Sequence, residues 1–283
     1  MFTLKIKNYK GELFELSHDY RNYAVIGVQG LTYPSAAVNT ASGGAVDGSF
    51  YNSSRVEQRN IVIDIIIQGD IETNRARLYR VFPIKKPCTV FFENKNRSVM
   101  IEGYVEIVES DLFTERQQVQ ISLICPRPYF EAAEAIITEL SQIVREFQFP
   151  FDISEDDPVP MSEIVETPLA VIDNSGDVEC GVIISAVFTG AASGLTVYNT
   201  TTGQQFGLDY TFQSSDELEI STVQGSLHVT LTRGGVAYNL INYLTAASAW
   251  FRLDLGENNL TYSATGAENV SFEVETRLLY GGV

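Results

Sequence analysis

Val119-Gln120-Ile121-Ser122-Leu123-Ile124-Cys125-Pro126-Arg127-Pro128-Tyr129-Phe130 carries the two readings that organise this chain. Val119, Ile121 and Leu123 alternate with Gln118, Gln120 and Ser122, the period-2 pattern of a half-buried strand. That strand runs into a seam, Cys125–Phe130, where the composition changes abruptly. Residues 1–130 hold 15 of the 19 Lys+Arg and 14 of the 36 Asp+Glu, a balance of +1. The remainder holds 4 basic and 22 acidic residues, a balance of −18, and no lysine follows Lys95. Nearly the whole net charge of −17 therefore belongs to the second part. A structural module and a partner-facing module are expected to differ in this way.

Upstream of the seam the chain reads as strands around one helix. Phe2–Lys7 and Tyr23–Val28 are short strand candidates. Ile61-Val62-Ile63 and Ile65-Ile66-Ile67, within Asn60–Gln68, form an apolar β-branched run that predicts a strand covered on both faces. Gly69 stops it. Asp70 is a good N-cap for a helix over Ile71–Phe82, with Leu78 and Phe82 on one face and Pro83 ending it. Cys88–Phe92 and Arg97–Val108 predict a hairpin turning at Glu93-Asn94-Lys95-Asn96.

Between Gly30 and Arg55 the pattern differs. Pro34-Ser35-Ala36-Ala37-Val38-Asn39-Thr40-Ala41-Ser42-Gly43-Gly44-Ala45-Val46 has no charge and no period. So long a structureless segment in a compact domain is usually functional or disordered. Its small uncharged residues suit an arm that becomes ordered against a neighbouring subunit.

Downstream, Glu131–Phe149 reads as either a helix or an extended crossing, and Phe151–Pro168 as a solvated acidic connector. From Leu169 onward short strands alternate with turns at roughly ten-residue spacing, the pattern of a β-sandwich or jelly roll. Turn signals are Asp173-Asn174-Ser175-Gly176, Thr201-Thr202-Gly203, Arg233-Gly234-Gly235 and Gly256-Glu257-Asn258-Asn259. Leu240–Leu244 is expected to make a single helical turn. The expected organisation is thus an N-terminal β-rich domain with one helix (1–130), a connector (131–168) and a C-terminal β-sandwich (169–283). A length of 283 residues agrees with two domains.

The start of the chain alternates and is charged, so it reads as neither a signal nor a transit peptide, and the protein is expected to stay where it is made. No apolar run approaches ~18 residues, so no membrane partner is expected. Three cysteines, Cys88, Cys125 and Cys180, are odd in number and far apart, which argues against a disulfide framework. Cys125 reads as a small buried residue. The acidity disfavours bound nucleic acid but not a passage through which DNA slides.

Catalytic chemistry finds little support. His18 and His228 are the two histidines; His228 alternates with Leu227 and Val229 and reads as an exposed strand residue. No His or Cys spacing suits a metal, and neither a nucleophile elbow nor a phosphate loop occurs. No enzyme, metal or cofactor is expected. Arg75, Arg77, Arg80, Lys85 and Lys86 form the single basic concentration, either a solvated helix face or a contact surface for an acidic neighbour. Trp250 could stack on a sugar ring, but a core plug on a sandwich strand is the favoured reading, since a sugar site usually also gathers convergent polar groups.

Several motifs in order carry a family resemblance. Asp47-Gly48-Ser49-Phe50-Tyr51, Arg55, Glu57-Gln58-Arg59-Asn60-Ile61, Gly69-Asp70-Ile71-Glu72-Thr73-Asn74-Arg75, Leu78-Tyr79, Phe82-Pro83, Lys86-Pro87 and Cys125–Phe130 resemble the distal tail protein family of long-tailed, non-contractile bacteriophages. Thr202–Phe206, Ile220-Ser221-Thr222, Ser248-Ala249-Trp250-Phe251-Arg252-Leu253, Gly256–Asn259 and Leu279–Val283 continue it.

The resemblance implies a structural virion protein: a homohexameric ring at the tail tip, joining the tail tube protein to a tail-associated lysin or fibre protein. It also implies an opening for DNA, a galectin-like C-terminal sandwich, and attachment of receptor-binding or baseplate proteins. The expected subunit interface comprises Pro34, Ser35, Ala36, Val38, Asn39, Gly43, Gly44, Tyr51, Arg55, Arg75, Arg77 and Arg80. The alternative is a carbohydrate-binding tail adhesin acting through Trp250. Against it, no span is long enough for an inserted carbohydrate-binding module, and His228-Val229-Thr230-Leu231 lacks the His-x-Asn-x-Arg strand of sugar-binding galectins. Galectin-like here describes a fold.

Overall fold

The computed structural model describes residues 3–16, 21–44, 47–114, 116–140 and 169–283. The fold is mainly β with one α-helix. Its chain divides into two compact units: 1–134 with 176–178 and 277–283, and 135–175 with 179–276.

The first unit contains β1 (Thr3–Asn8), β2 (Leu13–Glu15), β3 (Tyr23–Gln29), β4 (Ala36–Ala41), β5 (Phe50–Val56), β6 (Arg59–Ile67), α1 (Ile71–Val81), β7 (Pro87–Glu93), β8 (Ser98–Ser110), β9 (Gln118–Cys125) and β10 (Phe130–Ala132). An antiparallel sheet runs in the order β2-β1-β7-β8-β9-β6-β3. The strand predicted at the seam is β9; Val119, Ile121 and Leu123 are fully buried while Gln118 and Gln120 are exposed. The chain after it does not leave. β10 returns to the edge of β8, pairing Glu131 with Met100 and Ala132 with Val99.

The Ile-rich strand β6 corrects an expectation. Ile61, Ile63, Ile65 and Ile67 are buried, whereas Val62, Asp64 and Ile66 are only half-buried. One face meets the core and helix; the other keeps Asp64, which accepts a hydrogen bond from Gln120 (3.0 Å). A charged residue in mid-run marks a face that this unit alone does not cover. Helix α1 starts as predicted, with the Asp70 carboxylate accepting from Thr73 N (3.3 Å) and Thr73 Oγ1 (2.8 Å). It sets Asn74, Leu78 and Val81 inward. Buried Asn74 donates to Asn22 and Gln68, and its carbonyl accepts from Tyr23, so the helix is tied to the ends of β3 and β6.

The second unit forms two sheets. One contains β11 (Ile136–Leu140), β13 (Val182–Phe188), β16 (Glu217–Ser221), β17 (His228–Arg233), β18 (Val236–Asn239) and β20 (Val270–Thr276). The other contains β12 (Leu169–Asn174), β14 (Ala192–Asn199), β15 (Gln204–Phe212) and β19 (Gly256–Thr265). Their orders, β11-β20-β13-β16-β17-β18 and β12-β19-β14-β15, describe a β-sandwich. Alternating apolar residues fill it, with Phe188 stacked on Phe212 (4.2 Å) and Tyr262 against Phe272 (4.0 Å). Gly234 and Gly235 both take positive φ, which the tight turn joining β17 to β18 requires. The predicted helical turn is a 3₁₀ turn at Ile241–Tyr243. Residues 136–140 are extended, so the crossing reading holds there, while most of the expected connector lies outside the described residues.

The chain then rejoins the first unit. β21 (Leu279–Tyr280) pairs with β10. Beneath it lies Arg59, 3 % exposed and without a carboxylate partner among the described residues. Its guanidinium donates to four carbonyls: Pro128 (2.6 Å), Gly30 (2.6 Å), Thr32 (2.6 Å) and Gly281 (2.7 Å). Its carbon centre lies 4.3 Å from the centroid of the Phe130 ring. Burial pulls the Arg59 pKa down from its ordinary value, with the neighbouring Cys125 acting in the opposite sense. All three cysteines are buried and unbridged; burial pushes Cys88 and Cys125 up to about 12 and raises Cys180. Cys125 is therefore packing, as its place in the strand predicts.

Two stability predictions follow from these contacts. Arg59→Met removes the donor shared by four carbonyls, of which that of Gly281 is buried and those of Gly30, Thr32 and Pro128 are less so, and should cost about 3 kcal/mol in the first unit. Denaturant titration followed by far-UV circular dichroism reads this; a loss below about 0.5 kcal/mol, the usual surface value, would contradict the role assigned. In the second unit, Asp216 is buried and receives two bonds from Arg233 (2.7 and 2.6 Å). Hydrogen bonding from Arg233 holds the Asp216 pKa below its usual value, with the Gln213 N–H assisting and burial opposing. A depressed carboxylate stabilises above its unfolded pKa and loses that stabilisation as pH falls through the folded one. Asp216→Asn should therefore lower the thermal midpoint at pH 7. The gap from the unsubstituted protein should narrow below about pH 4; a gap independent of pH would refute the assignment.

Candidate assembly site

The uncharged segment expected to be a structureless arm is a β-hairpin. β4 and β5 pair only with each other, with a bulge at Asn39/Thr40. Neither of its faces is buried, so no hydrophobic period marked it as strand. Side chains tie the two strands, Asn39 donating to Ser53 (3.1 Å) and Ser35 to Glu57 (3.2 Å), while Tyr51 shares a hydrogen bond with Ser54 within β5 (2.9 Å). At the base, Glu57 N donates to Ser35 O (2.9 Å).

Nearly every hairpin residue faces solvent. Val38 (58 %), Phe50 (62 %), Tyr51 (65 %) and the preceding Tyr33 (66 %) are exposed apolar side chains. A concentration of large exposed apolar groups marks an interaction surface. Phe50 lies against Gly43, where an added Cβ would approach its ring to 3.2 Å; Gly44 has open space. Pro34, Ser35, Ala36, Val38, Asn39, Gly43, Gly44, Tyr51 and Arg55 thus belong to one element. Phe50 and Tyr33 belong with them but were not singled out, because lone aromatics in a segment without a period carry no signal.

The arginines sit elsewhere. Arg75 is half-buried, donates to Gln117 (2.7 Å) and pairs with Glu72. Arg77 lies over the Phe14 ring at 4.8 Å. These two are engaged within the chain, whereas Arg80 projects from the last turn of α1 into solvent. Among the described residues β3 pairs only with β6, which makes it an edge of the sheet, and it exposes Ile26. Such an edge offers unpaired backbone groups to a further strand.

In the second unit, Trp250 lies outside the strands, its ring 4.9 Å from that of buried Phe206. It is part-exposed and lines a cleft of about 320 Å³ with Glu179, Thr202, Gln204, Arg252 and Asp254. The expected core plug is therefore only half buried. His228 sits on β17, half-exposed, with Nε2 2.6 Å from Glu219. Among the described residues no group of three His, Cys, Asp or Glu is arranged to hold a metal. No described helix is long and apolar enough to cross a membrane.

Residues 175–277 match the family model of the siphovirus-type tail component, C-terminal domain. This stretch is a siphovirus-type tail component domain. No curated protein matches the chain. Among solved structures, the SPP1 Dit (gp 19.1) protein, described as a paradigm of hub adsorption apparatus in Gram-positive infecting phages, covers 98 % of this chain and 98 % of its own. Its TM-score is 0.68 at 15 % identity. A chain of the phage P2 baseplate in its activated conformation with Ca matches at TM-score 0.55 and 10 % identity, again over 98 % of both. The same baseplate with Sr gives 0.53 at 10 % identity, over 97 % of this chain and 98 % of that one. The matched stretch thus lies within a chain whose fold, over both units, is like that of the SPP1 Dit protein.

The hairpin's exposed aromatics contribute little to the isolated fold. Replacing Phe50 and Tyr51 together by Ser should change the unfolding free energy by no more than about 0.5 kcal/mol. The same change should reduce self-association measured by sedimentation velocity at least tenfold. Unchanged association would remove the hairpin from the interface.

Proposed function

We propose that this protein is the structural hub at the distal end of a phage tail, six copies closing into a ring. The ring joins the tail tube to the proteins of the tail tip or baseplate and leaves a passage for DNA. The observation that carries this reading is the β4–β5 hairpin: an ordered element with exposed aromatics that, among the described residues, pairs with no other strand. An isolated two-stranded hairpin is marginally stable in water, so a neighbouring copy supplies the burial it lacks. The free edge of β3 and the half-covered face of β6 offer that copy further surface.

Charge supports the same reading. Residues 1–130 are nearly neutral, so six like units pack without strong self-repulsion. A passage needs no affinity for DNA, and the acidity of the later residues is compatible with one that does not retain it. The reading places the protein in the virion at the tail tip and assigns it no catalytic step.

Native mass spectrometry of the purified full chain at micromolar concentration tests this. The expected species has six times the monomer mass, alone or as a stacked pair. A strict monomer that does not assemble even with tail tube protein added would overturn the ring.

A further inference from the structure

We propose that the Trp250 cleft is a binding site for an uncharged saccharide. The proposal is independent of the hub reading, which concerns the first unit.

The cleft is built from backbone upward. Ser248 bridges both backbone groups of Gly207 (3.0 and 2.8 Å), and Ala249 N donates to Gln205 O (2.8 Å). Leu253 and Cys180 exchange backbone hydrogen bonds (2.8 and 3.2 Å). Phe251 and Leu253 are fully buried. An extended segment alternates sides, so anchoring these two inward turns Trp250, Arg252 and Asp254 outward together. The Cys180–Leu253 bridge brings Glu179 beside them, the turn before β15 supplies Thr202, and the first residue of β15 is Gln204. All six line the same cleft.

The groups suit a sugar ring. Trp250 is held by Phe206 and remains part-exposed in a cleft whose accessible lining is almost wholly polar, so recognition there rests on hydrogen bonds to hydroxyls. Among the described residues, the carboxylates of Glu179 and Asp254 and the indole N–H of Trp250 have no hydrogen-bond partner in the chain. Carboxylates accept from vicinal hydroxyls in charge-assisted bonds, while Arg252 and Gln204 donate. Two carboxylates against one guanidinium disfavour an anionic ligand such as a phosphate polymer. The lining gathers polar groups from three places in the sequence, which is the convergence that Trp250 alone did not show.

The chain has one tryptophan, so its emission reports this cleft directly. The full chain is titrated with the methyl glycosides of glucose, galactose and N-acetylglucosamine, with poly(glycerol phosphate) as an anionic control. The expected result is a saturable change for at least one glycoside, with a midpoint between about 0.1 and 50 mM, and none for the polyanion. Glu179→Gln and Asp254→Asn, both on exposed side chains, should each weaken binding about tenfold without shifting the thermal midpoint. Saturation-transfer NMR should show loss of contact in Trp250→Ala. No response to any glycoside, a response unchanged in both carboxylate variants, or binding of the polyanion instead would overturn the proposal.

Discussion

Arg59 is the constraint on which the first unit depends. A guanidinium stripped of water and without a carboxylate is costly, and it persists only where other dipoles replace the lost solvent. Here four carbonyls and the Phe130 ring do so. The carbonyls come from places far apart in sequence: Gly30 and Thr32 at the root of the hairpin, Pro128 at the seam, and Gly281 near the last strand. One side chain thereby fixes where the hairpin leaves the sheet, how the chain turns after β9, and where the returning segment docks. Arg97 reinforces this, donating to Gly282 O (2.9 Å) and pairing with Asp177 (3.2 Å). Val283 N donates to Leu31 O (3.1 Å), closing the same region.

That arrangement separates two tasks. The sheet and helix bury a continuous apolar core of their own. The hairpin keeps its aromatics outside and is complete only when something covers them. A rigid root with a free, weakly self-stabilised element is what an assembling subunit needs, because the direction of the arm is set before the partner arrives. Less of the interaction is then offset by ordering the arm at contact.

The parts legible in the sequence are those with local causes. The Asp70 cap, the alternation at 118–124 and the turn at 93–96 are written in neighbouring residues. The hairpin was missed as a strand pair because Ala36–Ala41 and Phe50–Val56 bury neither face, so hydrophobic periodicity has nothing to report. The isoleucine run of β6 suggested two covered faces, and Asp64 was the contrary sign. The motifs Glu57–Ile61, Cys125–Phe130 and Leu279–Val283 carried the family resemblance without a reason; Arg59 supplies it by joining all three. Arg75 appeared free because its partner Gln117, just before β9, is distant in sequence. The Trp250 cleft draws on residues near 179, 203 and 252, a convergence that no single stretch displays.

The central claim is that the β4–β5 hairpin is ordered by its neighbour while Arg59 holds its root. Amide hydrogen exchange of the full chain, compared between dilute and assembled protein, tests this most directly. The amides of Ala36–Ala41 and Phe50–Val56 should exchange rapidly when dilute and become protected on assembly, while those of β6 and β9 stay protected throughout. An assembled ring in which the hairpin amides still exchange rapidly would contradict the account.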